Sequence, residues 1–64
     1  MSMSRLAAKK ILKELGAERV SDSAALELSE TVNKYAYGIG KKAVKLAAHA
    51  KRKTVKKEDV ELAR

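Results

Sequence analysis

From Ser23 to His49 the sequence keeps a helical apolar pattern with no proline and no turn signal to break it. Leu28, Val32, Tyr35, Ile39, Ala43 and Leu46 step by three or four residues and form a seam. Ala25, Ala36, Val44 and Ala47 widen it. At 1.5 Å per residue this helix is about 40 Å long, in a chain of only 64 residues. It outruns any neighbour that the rest of the chain can supply, so its apolar face asks for a second chain. Gly38 and Gly40 weaken its propensity. They either mark a close crossing with another backbone or are simply tolerated.

Two shorter helices flank it. The first is expected over Ser4 to Leu15, where Leu6, Ala8, Ile11, Leu12 and Leu15 share a face and Arg5, Lys9 and Lys13 form a cationic stripe on another. The last is expected over Lys56 to Arg64, with Glu58 and Asp59 in its first turn, where the helix dipole favours acids. Val60, Leu62 and Ala63 are its apolar contribution, and so short a helix depends on docking. Between them lie two loops. In Gly16 to Asp22, glycine follows Leu15 at a helix C′ position and Ser21 or Asp22 can cap the next helix. Ala50 to Val55 has no glycine, but its charge run and the pair Thr54-Val55 interrupt the helical pattern. Val20 and Val55 each sit in a brief β-prone stretch. The long helix holds these stretches apart in one chain, whereas a head-to-tail pair of chains would let them meet.

A single small domain of this size buries only about 60% of its unfolded surface and often needs a partner. There is no cysteine, hence no disulfide and no thiolate metal site; this fits a reducing compartment. The start of the chain lacks the apolar run of an export signal, and no segment is long and apolar enough for a membrane span. A soluble, intracellular protein is expected. The net charge of +7 points to a polyanion. Tyr35 and Tyr37 are the only aromatic residues, too few for a surface that stacks single-stranded bases. Duplex phosphates are favoured. The charge gathers in two places: four basic residues and one acidic give +3 from Met1 to Leu15, and Lys51, Arg52 and Lys53 give +3 in the second loop. The only histidine, His49, has neither metal-ligand spacing nor a nucleophile and orienting group around it. No catalytic residue, metal site, cofactor or small-molecule substrate is expected.

Three segments carry a specific likeness: Gly16-Ala17-Glu18-Arg19-Val20-Ser21, Ala43-Val44-Lys45-Leu46-Ala47-Ala48-His49-Ala50, and Arg52 through Ala63. They resemble archaeal histones, without gaps from about Gly16 onward, while the first helix matches in pattern only. The chain departs from the family's habit in lacking a proline-containing lead and in ending at Arg64 without a basic tail. The resemblance implies an all-α histone fold, with helices short–long–short, paired as a handshake homodimer. It implies sequence-blind binding and wrapping of double-stranded DNA on a chromosome or nucleoid in the cytoplasm. Arg19 resembles the arginine that enters the minor groove. Lys53 and Thr54 resemble phosphate contacts, and Ser21 falls in the matching first loop. Lys10 and Lys13 resemble first-helix contacts, placed with the free backbone N–H groups of a helix N-terminus. Arg52 and Asp59 resemble an ion pair bracing the second loop. Leu46, His49, Asp59 and Leu62 resemble a contact that joins dimers into tetramers or longer arrays.

By spacing alone, Arg19 reads equally as an ordinary loop arginine and His49 as a lone surface histidine. Two rival functions stand beside DNA packaging. One is a histone-fold subunit that heterodimerises in a regulatory or replication complex. The other is a membrane-surface peptide, which the absence of Trp and Phe anchors disfavours.

Overall fold

A computed structural model describes residues 3–64. Three helices follow one another: α1 (Arg5–Glu14), α2 (Asp22–His49) and α3 (Lys57–Ala63). Among the described residues there is no strand, and Val20 and Val55 lie in irregular backbone. The chain divides into two compact units, one running to Lys34 and the other from Tyr35 to Arg64; α2 contributes to both.

Each helix end has a local cause. Ser4 caps α1, its side chain accepting the N–H of Ala7 at 3.0 Å. At the other end Gly16 takes φ +114°, a conformation that side chains resist. There the N–H of Ala17 reaches Leu12 O and that of Gly16 reaches Lys13 O, each at 3.0 Å. These paired bonds satisfy carbonyls that the helix leaves open. Of the two candidate caps for α2, Ser21 serves: its Oγ accepts the N–H of Ala24 at 3.1 Å, and Asp22 begins the helix.

The same closure recurs after α2, without glycine. The N–H of Arg52 reaches Ala47 O and that of Lys51 reaches Ala48 O, both at 2.9 Å. Lys51 sits at φ +59° and is the only non-glycine residue with positive φ among the described residues. At Gly38 and Gly40 an added Cβ would meet nothing within 4 Å, so no backbone of this chain crosses there.

The first unit buries Ala8 of α1 and Ala25 and Ser29 of α2. Small side chains let the two helices approach closely, and Ser29 donates its hydroxyl to Leu26 O at 2.9 Å. Before α1, the backbone of Met3 is held by one amide: Met3 N–H donates to Asn33 Oδ1 at 2.8 Å and Asn33 Nδ2 donates to Met3 O at 3.2 Å. Lys9 and Asp22 form an ion pair at 2.8 Å. The second unit buries Ala43, Ala47, Ala63 and Asp59.

No large side chain is fully buried among the described residues. Leu6 is 77% exposed, Leu15 80% and Tyr35 67%. A buried alanine removes one methyl group from water, whereas each large apolar side chain left outside forgoes about 1.5–3 kcal/mol.

Candidate nucleic-acid interface

Loop two is organised by one buried carboxylate. Asp59, in the first turn of α3, is 3% exposed. Its Oδ1 accepts Arg52 Nη2 at 2.8 Å, and its Oδ2 accepts Arg52 Nη1 at 2.9 Å and the N–H of Lys56 at 2.8 Å. Arg52 Nη1 also donates to Thr54 O at 2.9 Å. The planar guanidinium matches a carboxylate with two parallel bonds and here also ties down the carbonyl between Lys53 and Val55. The arginine's hydrogen bonds first, and the Lys56 N–H second, hold the Asp59 carboxyl at about 2, below its ordinary 3.8. The bond from Lys56 also replaces an N-cap side chain, because a lysine ammonium cannot accept. With its backbone so held, loop two presents the side chains of Lys53 and Thr54 to solvent.

In loop one, Arg19 is exposed between the closing bonds of α1 and the Ser21 cap. Ser21 is exposed, but its hydroxyl is engaged with Ala24 N–H and with Ser23 Oγ at 3.3 Å. Lys10 and Lys13 are exposed on α1 and, with Leu6 and Lys9, line a shallow depression of about 400 Å³. They are not at a helix N-terminus. Lys13 lies in the last turn of α1 and Lys10 just before it, so they have none of the free backbone N–H groups expected for them. Of the cationic stripe on α1, Lys9 is committed to Asp22, whose carboxyl it holds below the usual range by hydrogen bond and charge.

The second unit is the more basic. From Tyr35 to Arg64 nine basic residues stand against three acidic, and from Thr31 to Lys57 there is no acid at all. Leu46, His49 and Leu62 line one depression of about 390 Å³ together with Lys42, Lys45 and Ala63. Asp59 is not among its walls; its carboxylate is turned to Arg52 and Lys56. Lys42 and Lys45 do not stand out in the sequence, although each lies three or four residues before Leu46 or His49 on the same helix. The Asn33 clamp on Met3 and the Lys9–Asp22 pair are equally silent there, since nothing in residue spacing marks them.

A long helix between two short ones, with a core of alanine and a cationic second loop braced by an arginine–aspartate fork, defines the histone-fold class. The chain belongs to the family of histone-like transcription factors (CBF/NF-Y) and archaeal histones, whose sequence model matches residues 3–63. It is 54% identical over 54 residues to the archaeal histone HAN1 of Thermococcus zilligii, covering 84% of this chain and 81% of that protein. With a probable archaeal histone 3 of Methanocaldococcus jannaschii it shares 52% over 54 residues, again 84% of this chain and 81% of the relative. No helix among the described residues is long and apolar enough to cross a membrane.

Proposed function

We propose that the chain is one protomer of a handshake homodimer that binds double-stranded DNA through its phosphates and packages it as chromosome-associated, cytoplasmic protein. The exposure of Leu6, Leu15, Tyr35 and Val44 around an alanine-only apolar core carries the dimer: these residues are where a second copy's long helix would pack. In this reading residues 1–64 complete a single domain only as a pair.

Exposed Lys10, Lys13, Arg19, Lys53 and Thr54, with Ser21 beside them, support the DNA face. Arg19 is the minor-groove side chain, and the others contact phosphates. The sequence preference is low, because no helix offers a set of Asn, Gln and Arg to base edges. The depression at Leu46, His49 and Leu62 is the surface for association beyond the dimer, with Asp59 bracing α3 from behind.

The deciding experiment measures mass and duplex binding of the purified chain alone. A dimer that binds unrelated duplexes with one affinity, falling steeply with salt, is expected. A chain that stays monomeric until a different histone-fold protein is added overturns the homodimer in favour of a heterodimerising subunit.

A further inference from the structure

The depression that α2 and α3 share has an apolar floor and a cationic rim. Leu46 is half-buried, Ala63 is buried, and Leu62 is 75% exposed. Lys42, Lys45 and His49 stand exposed around them. Ion pairs among the described residues join only Lys9 to Asp22 and Arg52 to Asp59, so neither rim lysine is neutralised. The acids of α3 do not supply the missing charge. Asp59 has both oxygens bonded inside the unit. Glu58 acts on the Arg52 guanidinium. Glu61 precedes Leu62 and so points about 100° away from it around the helix.

We propose that this depression docks an acidic protein surface, a helix carrying apolar residues flanked by Asp or Glu, in preference to a second copy of itself. The inference rests on the dimer reading, since each dimer then carries two such patches.

Two identical patches meeting about a two-fold axis bring like residues together. Here that sets Lys42, Lys45 and His49 of one copy near the same cations of the other, with no carboxylate on either wall. Like charges brought together as water is excluded oppose the contact. DNA is also a poor occupant. Phosphates would use the lysines but leave Leu46 and Leu62 wet, and an exposed leucine is stabilised only by apolar neighbours. A helix with apolar residues at i and i+3 or i+4 and acids beside them satisfies floor and rim together.

The acidic probe is the chain's own double variant, Lys42→Glu/Lys45→Glu. Parent, variant and their equimolar mixture are compared by sedimentation at low salt. The mixture should assemble beyond the dimer at least tenfold more tightly than either protein alone. Exchange of protomers does not blur this, because a basic patch meets an acidic one only in the mixture. Leu62→Ser in the parent should abolish the assembly while leaving dimer mass and helicity unchanged. In parallel, Lys42→Gln/Lys45→Gln should keep the parent's salt slope for duplex DNA.

Parent assembling alone as tightly as the mixture shows that a second copy is the occupant and overturns the proposal. A mixture that remains dimeric overturns it as well. A reduced salt slope in the glutamine variant assigns the patch to DNA, with the same consequence. The parent's own mass and duplex affinity, read in the same series, decide the homodimer reading separately.

Discussion

Arg52 and Asp59, seven residues apart, are joined by two parallel hydrogen bonds of 2.8 and 2.9 Å, and the same carboxylate takes the N–H of Lys56. One side chain thereby closes loop two, starts α3 and fixes the backbone that presents Lys53. Folding favours the ionised Asp59, whose carboxyl is held at about 2 against an ordinary 3.8. Its contribution is fully present above about pH 4 and is lost as the pH falls toward 2. Thermal midpoints should therefore decline over that window. Asp59→Asn should lower the midpoint by several degrees at neutral pH and make the acid decline shallower. Identical acid profiles for parent and variant would show that the pair does not stabilise the fold.

Lys51 offers a test of backbone strain. A residue with a Cβ in the left-handed region costs roughly 1–2 kcal/mol, and glycine gives back about 0.5–1 kcal/mol through its freer unfolded chain. Lys51→Gly should raise the DNA-free thermal midpoint, by up to about 1 kcal/mol of stability. Lys51→Val, with a branched Cβ, should lower it. Equal midpoints for the glycine and valine variants would contradict a left-handed Lys51.

A dimer that unfolds to separate chains obeys mass action. Each tenfold rise in protein concentration should add about 1.4 kcal/mol to its stability, seen in scanning calorimetry as a midpoint higher by a few degrees. A midpoint independent of concentration, with a monomeric mass, would mean that the exposed leucines and Tyr35 remain in water.

The two loops should fail differently on DNA. Log affinity should fall with log salt by roughly 0.9 per phosphate neutralised, and Lys53→Ala should reduce that slope by about one on every duplex. Arg19→Ala should weaken wrapping, measured as duplex circularisation or nuclease protection, with dimer mass unchanged. Parent-like binding by both variants at moderate salt would place the DNA face elsewhere.

The Asn33 amide holds Met3 through two hydrogen bonds across thirty residues of sequence. Asn33→Ala should speed amide hydrogen exchange at Met3 and Ser4 while leaving exchange in α3 unaltered. Unchanged exchange at Met3 would indicate that the clamp is open in solution.

Local chemistry alone determined much of this chain. The apolar period, the glycine after Leu15, Ser21 ahead of α2 and the acids opening α3 act within a few residues of one another, so the order of three helices is legible from the letters. The clustering of charge in loop two is legible for the same reason, because adjacent lysines and arginines cannot be far apart in space. Tertiary structure decided what depends on distant partners or on burial. Only the packed chain shows that its apolar core is alanine and that most large apolar side chains stand outside. It also shows that Lys9 is used up by Asp22, that Asn33 grips Met3, and that Asp59 turns away from the Leu46–Leu62 depression. Hydrophobic periodicity says which face seeks cover, but not whether cover comes from the same chain. Charge spacing likewise counts cations without saying which are already paired. Both are settled by distances between side chains far apart in sequence, and folding alone sets those.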